Sequence, residues 1–367
     1  MNPTVGVVGA SARAAVHSLA RAGLSAWAVD LFADRDLALV ATCARCPPDR
    51  YPAALPELAR QFPPGPVLYT GGLENHPRVV AELATDRELW GNPPEVLERV
   101  RDPQRVFPAS DPPPIVPVVV PRRLPCPAAG RWLRKPLRSA AGHGVRFATP
   151  GEAPSEAHYF QEFIAGMPMS AAFRDHALID ATEQLVGEPW LHARPFAYCG
   201  NIGPVRLAEQ ADGALVVFGL ELAEEYGLRG VWGIDFVRRD DLPCLIEVNP
   251  RYTASIEVLE HGSGRAVFAD SVAATRSGAR GVVGKAIYYA PHRVTFPEAG
   301  PWDADISTPF DPWRLPAFAD IPAPGSVIEA DHPVLTVFAS GSSPAECRER
   351  LQSRAAELDR LFAEGGQ

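Results

Sequence analysis

Between residues 230 and 251 the chain reads Gly-Val-Trp-Gly-Ile-Asp-Phe-Val, a polar stretch, then Leu-Ile-Glu-Val-Asn-Pro-Arg, and few folds accommodate that pair of segments. Both are apolar runs of strand length, and Arg238-Arg-Asp-Asp-Leu-Pro243 between them has the polarity of a turn. Glu247, Asn249 and Arg251 recur at every second position, so an extended strand carries all three on one face. A symmetric hairpin centred near Asp240–Asp241 sets Asp235 within about one residue of opposing Glu247. Two carboxylates and an amide oxygen then converge on one patch beside a guanidinium. Hard oxygen ligands in that number suit Mg²⁺ held against phosphate groups, and Arg251 suits a phosphoryl oxygen. An Asp–Glu pair on a hairpin is more often a solvated face. Here, however, Cys244, Leu245, Ile246 and Val248 make the strand around Glu247 apolar, and a buried strand with Glu and Asn on one face must supply partners for them.

A chain of 367 residues has room for two or three units, each with its own core. Its 46% hydrophobic and 22% charged content is that of an ordinary soluble globular protein. A net charge of −9 with a pI near 5.5 argues against general nucleic-acid or anionic-membrane binding, so an anionic ligand needs a local basic pocket. No apolar run approaches the roughly 20 residues that span a bilayer, and the opening Met-Asn-Pro-Thr-Val-Gly-Val-Val lacks the charged region of a secretory leader. The expectation is a cytoplasmic protein without nucleic-acid or membrane partners. Six cysteines are too few for a disulfide scaffold. Cys43-Ala-Arg-Cys46 has no second pair at zinc spacing and reads as two reduced thiols near a strand end.

Along the chain, Thr4–Val8, a helical Ala14–Ala22 and Leu24–Leu31 form a βαβ unit. Its glycines are Gly6 and Gly9 with Ala12 following, which is not the G-x-G-x-x-G of a dinucleotide site, although Asp30 lies about 20 residues on. Val67–Tyr69 predicts another strand running into Gly71-Gly72, followed by a helix over Arg78–Ala84, a short strand at Leu89-Trp-Gly-Asn and a helix over Pro94–Val100 opened by proline. This unit occupies residues 1–95. Phe107 to Pro127, with its Asp111-Pro-Pro-Pro break, reads as linker and short edge strands.

Strands are expected at Arg131–Pro136, Val145–Ala148, His158–Ile164, Met169–Phe173 and Gln184–Val186, with a helix over Gly219–Tyr226. Later strands fall at Lys285–Ala290, Gly325–Glu329 and Val334–Phe338, and a capping box Ser343-x-x-Glu346 opens a last helix to Phe362. Lys135 and the small-residue loop Ser139-Ala-Ala-Gly-His-Gly144 adjoin on one hairpin. Backbone N–H groups of such a loop can close over phosphates while the lysine pairs with their charge. Gln161-Glu-Phe-Ile164, leading to Gly166, could serve as a hinge whose backbone reads adenine.

In this order, Lys135-Pro, Ser139–Gly144, Gln161-Glu-Phe-Ile-Ala-Gly166, Gly233-Ile-Asp235-Phe and Glu247-Val-Asn-Pro-Arg251 resemble the ATP-grasp superfamily. The resemblance is nearest to its ATP-dependent carboligases related to biotin carboxylase, and it covers roughly residues 1–340. It implies an α/β and α+β architecture, with a Rossmann-like domain (1–95) followed by a two-lobed ATP-grasp domain. The first lobe would span 96–164, the second 165–340, and a terminal helix 341–367. It implies Lys135 on the phosphates, 139–144 (with Ser139, Ala140, Gly142 and Gly144) as the lid, and Gln161, Glu162, Phe163 and Ile164 around adenine and ribose. Asp235, Glu247 and Asn249 would hold one or two Mg²⁺ (or Mn²⁺), and Arg251 would neutralise the transferring phosphoryl group. A second phosphate lysine is common in the family; here Asp102-Pro-Gln-Arg105 stands in that neighbourhood, so either Arg105 replaces it or the contact is missing. The lid is less glycine-rich than usual, which leaves a role for His143 open.

The expected reaction is carboxylate activation by ATP to an acyl phosphate, followed by amine attack. Phosphoryl transfer needs positioning and charge neutralisation more than a covalent nucleophile, and no Ser–His or Cys–His motif is recognisable. Acceptor selection is assigned to Trp190, Arg194, Tyr198 and Asn201, read as a loop. Fold-level analogy sets the resemblance near one-carbon cofactor biosynthesis. The rivals are an ATP-dependent carboxylase or kinase-like enzyme, an NAD(P)-dependent oxidoreductase built on 1–95, and a non-catalytic nucleotide-binding regulator.

Overall fold

The computed structural model describes residues 3–107, 116–269, 281–307 and 309–364; the Asp111-Pro-Pro-Pro break lies outside them. Four parallel strands open the chain: β1 (Val5–Val8), β2 (Ala26–Asp30), β3 (Thr42–Arg45) and β4 (Val67–Tyr69), in the order β3-β2-β1-β4. Strand order reverses at β1, so the loops after β1 and β4 border the switch point where open α/β sheets take ligands. Gly6 and Gly9 serve close packing: a Cβ would lie 2.2 Å from the Trp27 ring and 2.0 Å from Thr70 Oγ1, respectively. Asp30, the acid that a dinucleotide would need, is fully buried and accepts the N–H groups of Ala12, Phe32 and Ala33. Cys43 and Cys46 are free thiols, and burial pushes Cys43 up to about 12. Leu89 makes only a single bridge to Val67 rather than a strand.

A small antiparallel sheet follows, with order β6-β5-β7: β5 (Trp132–Pro136), β6 (Arg146–Phe147) and β7 (His158–Glu162). The rest is built on one antiparallel sheet of eight strands, ordered β12-β11-β8-β9-β10-β13-β17-β15. Its members are β8 (Met167–Arg174), β9 (Ala177–Val186), β10 (Tyr198–Gly203), β11 (Val231–Arg239), β12 (Leu242–Asn249), β13 (Val282–Tyr289), β15 (Phe318–Ala319) and β17 (Pro333–Gly341). A separate pair joins β14 (Val294–Thr295) to β16 (Val327–Ile328).

Several elements differ from expectation. The Trp190–Asn201 stretch is not a loop throughout, since Tyr198 starts β10. The helix expected from Gly219 begins at Glu209 and runs 18 residues. Glycines at 213 and 219 mask it, yet Gly219 is required: a Cβ there would sit 2.2 Å from the Phe173 ring, which stacks on Trp232. The helix Ser255–Ser263 has no sequence counterpart in the reading above. Ser255 through Gly262 are all buried or nearly so, and its polar Glu257, Glu260 and His261 meet Arg13 and Arg21 rather than water. The capping box forms at one end only: Ser343 Oγ accepts the Glu346 N–H, while the Glu346 carboxylate returns to Ser342 rather than Ser343. The last helix, Pro344–Glu364, packs on β13 and β17.

Helix Ser255–Ser263 joins the first unit to the large sheet. Ala15, Val16 and Leu19 share a core with Ile256 and Leu259. Across the same contact, the fully buried Arg13 guanidinium donates to both Glu257 oxygens (2.6 and 2.8 Å) and to Asp320 (2.7 Å). Lys285 adds a second cation 3.1 Å from Glu257. Burial opposes the Glu257 charge, but Arg13 and Lys285 outweigh it and hold its pKa well below the usual range. We expect Arg13→Met, which leaves Glu257 to Lys285 alone and removes the cation from Asp320, to cost about 3–5 kcal/mol in urea unfolding; a loss under about 1 kcal/mol would show the network to be dispensable.

The adjacent His261 is 9% exposed, and its Nε2 lies 3.3 Å from Arg21 Nη1. Arginine only donates, so Nε2 accepts and the ring is neutral. Burial, then Arg21, push its pKa down to about 3. The unfolded chain therefore protonates first, near pH 6.5. The stabilisation is complete above that value and is lost as pH falls towards 3. His261→Gln should flatten the fall in stability over this window, and parallel curves for the two proteins would contradict the assignment.

Candidate active site

The β11–β12 hairpin turns in two residues, not six: Arg239 pairs with Leu242, and Asp240 and Asp241 both take positive φ (50° and 61°), as a tight hairpin of matching twist requires. With that turn, unbroken register would set Asp235 opposite Ile246 and send Glu247 to the far face. The register shifts once, between Asp235 and Phe236, so Phe236 pairs with Leu245 but Asp235 pairs with Glu247. Ile246 is the extra residue of a β-bulge. Leu245 and Val248 thus stay in the core with Phe236 and Ile234, while Asp235 and Glu247 share the other face.

Two carboxylates on directly opposed positions repel unless cations and donors surround them. Glu247 ion-pairs with Arg101 at 2.5 Å. Asp235 accepts from Gln184 Nε2 (2.8 Å) and Asn249 Nδ2 (3.1 Å). Arg251 donates to Asn249 Oδ1 and ion-pairs with Glu74 at 3.0 Å. Burial and the facing Glu247 raise Asp235 to about 7. Burial also works against Glu247, but Arg101 and Lys135 prevail and lower its pKa. Among the described residues no group of three or more His, Cys, Asp or Glu gathers as a metal cage. Mg²⁺ is commonly held by one or two carboxylates with substrate phosphates completing its shell, and the Asp235–Glu247 pair fits that donor set.

The small sheet supplies the opposite wall. Lys135 Nζ donates to Gln161 Oε1 (3.1 Å) and reaches the Ile246 carbonyl at 3.5 Å, so the bulged residue also ties the two sheets together. Burial opposes the Lys135 charge, but Tyr159 and Glu247 raise its pKa above the ordinary lysine value. The loop 139–144 lies closed over this space. Asn75 and Arg101 both donate to the Ser139 carbonyl, and Ala141 accepts the Tyr198 N–H from the large sheet. Gly142 sits at φ 75°, and a Cβ there would fall 1.8 Å from the Phe196 carbonyl oxygen, so no other residue permits this seating. The closed cleft keeps about 50 Å³, lined by Lys135, Ser139, Ala140, Gly142, Tyr159 and Glu247 among others. Small-molecule sites usually span about 300–1,000 Å³, so with the loop seated the cleft is smaller than such a site.

The geometry gathers Asp235, Glu247, Asn249, Arg251, Lys135, Gln161 and the loop residues Ser139, Ala140 and Gly142. Gly144 adopts φ 74° beside Pro136. Arg105 is not among them: its side chain is 61% exposed and pairs with Asp102. Arg101, at the C-terminal end of the helix Pro94–Val100, takes the place against Glu247, whereas Arg105 belongs to the separate short helix Pro103–Val106. The Glu162 carboxylate accepts the Val118 N–H, and the N–H groups of Glu162 and Phe163 go to the Val118 and Arg131 carbonyls. Those two amides are therefore spent within the small sheet rather than open to a base. Ile164 is buried with Val237 and Cys244. Trp190 donates to Glu188 and Arg194 pairs with Asp331, whereas Tyr198 donates to Asn201, whose amide reaches Ser170 and Thr182. The Tyr198–Asn201 pair thus continues the polar face that starts at Asp235, whose Cα partner is Ser170; Trp190 and Arg194 do not. His143 contributes its carbonyl to Ser139 Oγ. Sequence reasoning missed Arg101, Gln184, Glu74 and Asn75. For Gln184 no local signal exists, since only the β8–β9–β11 pairing brings it to Asp235.

Replacing Gly142 by Ala should unseat the loop. Amide hydrogen exchange over residues 139–144 is expected to rise markedly, and exchange equal to wild type would rule out the closed seating in solution.

Residues 116–255 match the family model described as "ATP-grasp domain". An uncharacterized protein of Methanocaldococcus jannaschii is 28% identical over 183 residues, 49% of this chain; the match spans only 41% of that relative's length. Among solved structures, the biotin carboxylase domain of Hydrogenobacter thermophilus 2-oxoglutarate carboxylase, crystallised with MgADP, ADP and bicarbonate, superposes with a TM-score of 0.64 at 13% identity, covering 96% of this chain and 89% of that one. The L-amino acid ligase of Bacillus licheniformis superposes with a TM-score of 0.61 at 14% identity, covering 97% and 98%. At such identities these two likenesses establish the fold.

Proposed function

From the ATP-grasp domain carried by residues 116–255, we propose that this chain is a Mg-ATP-dependent ligase that activates a carboxylate as an acyl phosphate and passes the acyl group to an amine. The observation that supports it most is Asp235 directly opposite Glu247, ringed by Arg101, Lys135 and Arg251. In this reading Asp235 and Glu247, with Asn249 beside them, hold Mg²⁺, which supplies charge neutralisation on the phosphates when bound. Lys135 and the N–H groups of loop 139–144 grip the triphosphate. Gln161, Ile164 and Ile246 border the base. A carboxylate oxygen of the substrate attacks the γ-phosphorus, the bond to the bridging oxygen breaks, and ADP leaves. The amine then attacks the acyl carbon and expels phosphate. Arg251 neutralises the charge on the phosphoryl group in flight, and Arg101 exchanges Glu247 for a phosphate oxygen as the cleft fills. Loop closure excludes water from the acyl phosphate. The buried, occupied Asp30 speaks against an oxidoreductase on residues 1–95.

Glu247→Gln should cut ADP release at least about 100-fold with the circular dichroism spectrum intact; wild-type turnover in that variant would refute the metal assignment. A screen of carboxylic acids and amines scored by ADP discriminates among the ATP chemistries. Release that needs both partners supports the ligase, whereas release that needs only bicarbonate would convert the reading to a carboxylase.

A further inference from the structure

Helix Glu209–Tyr226 has two apolar faces, and the fold uses one of them. Leu215, Leu222, Ala223 and Tyr226 share a core with Trp232, Phe236 and Leu245. On the opposite side Gly213, Val216, Val217 and Leu220 recur at i, i+3, i+4 and i+7, which aligns them in a second stripe. This stripe meets solvent: Val216 is 41% exposed, Val217 53% and Leu220 39%. Apolar residues at that spacing are the anchors by which one helix recognises another. Gly213 adds an independent sign. A glycine inside a helix destabilises it relative to alanine, and a Cβ at Gly213 would meet nothing within 4 Å. Packing within the chain therefore does not require it, unlike Gly219 against Phe173. On an outer stripe, a missing side chain lets another backbone approach closely.

Charge decides what fits. Glu209 and Glu224 continue the stripe one turn beyond its two ends, Asp212 and Glu221 flank it, and the helix holds no Lys, Arg or His. None of these four carboxylates makes an ion pair among the described residues. On the adjoining β9, burial and then Asp212 push the Asp180 carboxyl above its usual range, as a field short of cations does. A second copy does not suit this face. Two such helices crossed antiparallel on a two-fold between Val216 and Val217 set Gly213 against Leu220, but also Glu209 against Glu224 and Asp212 against Glu221. A parallel pair sets each acid against itself. Both arrangements repel, and so does an anionic lipid surface.

We propose that the outer face of this helix docks an amphipathic helix of a partner protein, its apolar side chains laid along Gly213, Val216, Val217 and Leu220 and its lysines or arginines facing the surrounding acids. The helix packs on the side of β12 that holds Leu245 and Val248, so the docking face lies on the reverse of the sheet from Asp235 and Glu247. The partner leaves the cleft open, and nucleotide and partner bind together. None of this depends on the ligase reading.

The test takes the full chain and a dye-labelled helical peptide matched in length to Glu209–Tyr226, leucine on one face and lysine on its flanks, with a second peptide carrying glutamate in place of lysine. By fluorescence anisotropy the leucine–lysine peptide should bind at least roughly tenfold more tightly than the leucine–glutamate one. Val217→Ser with Leu220→Ser keeps every charge and should weaken that binding roughly tenfold or more. Gly213→Gln should raise the Tm by roughly 1–2 °C, as removal of a helix glycine does, and yet weaken the peptide to a similar extent. Saturating Mg-ATP should leave the peptide affinity unchanged. The proposal is overturned if neither peptide binds, if both bind alike, or if Mg-ATP displaces the peptide. It is overturned equally if the serine or Gly213→Gln variant keeps wild-type affinity, which would leave only general attraction to an acidic surface. A wild-type dimer that the serine variant dissolves would assign the face to a second copy instead, and binding to phosphatidylcholine vesicles that the serine variant loses would assign it to lipid.

Discussion

The architecture of the cleft turns on one extra residue. The bulge at Ile246 inverts the facing of every side chain beyond it in β12, so the apolar Leu245 and the charged Glu247 can occupy opposite faces although they are two residues apart. A regular strand would have forced a choice between a buried Glu247 and an exposed Leu245. The same residue offers its carbonyl to Lys135 and Gln161, so the irregularity that places the carboxylates also docks the small sheet.

Opposing two carboxylates at one position stores electrostatic repulsion, and much of the site is organised to offset it. The cations come from three separate places: Arg101 from the end of a helix in the first part of the chain, Lys135 from the small sheet, and Arg251 from the end of the hairpin itself. Each is held by a further contact, Arg101 to Asn75 and the loop, Lys135 to Gln161, Arg251 to Glu74. The pull of Asp235 towards a neutral form and of Glu247 towards a charged one is the division expected when a coupled pair receives unequal shares of positive charge. A divalent cation would relieve the repulsion that these groups now contain.

The first unit is bound to the large sheet rather than tethered to it. Helix Ser255–Ser263 is buried between them, and Arg13, Lys285, Glu257 and Asp320 form a charge network at their contact. That fixes the loop after β4, and with it Glu74 and Asn75, relative to Arg251 and the lid. Positioning at the site is thus inherited from an interface remote in sequence, and it explains why residues from 74 to 251 can act on one small volume.

The hairpin, the lysine strand, the small-residue loop and their order were readable from the chain, because period-two alternation and turn residues are local signals. The hairpin's face assignment was readable only in part: the pattern placed Glu247 and Asn249 together, but the two-residue turn and the bulge that oppose Glu247 to Asp235 depend on how both strands meet the core. Arg101 against Arg105 could not be separated by spacing, since the chain breaks at Asp102-Pro103 into two short helices and only their docking sets which arginine faces Glu247. Gln184, Asn75 and Glu74 were invisible for the same reason, being brought in by strand and loop neighbours far along the chain. In helix Ser255–Ser263 the polar Glu257, Glu260 and His261 are paired with arginines of the first unit rather than with solvent, a pairing that only the tertiary contact supplies. What the sequence determined by itself was the identity and order of the chemical groups, which local backbone periodicity encodes. Which of them meet, and with what charge around them, was decided by tertiary packing, because desolvation and ion pairing arise only when distant segments exclude water together.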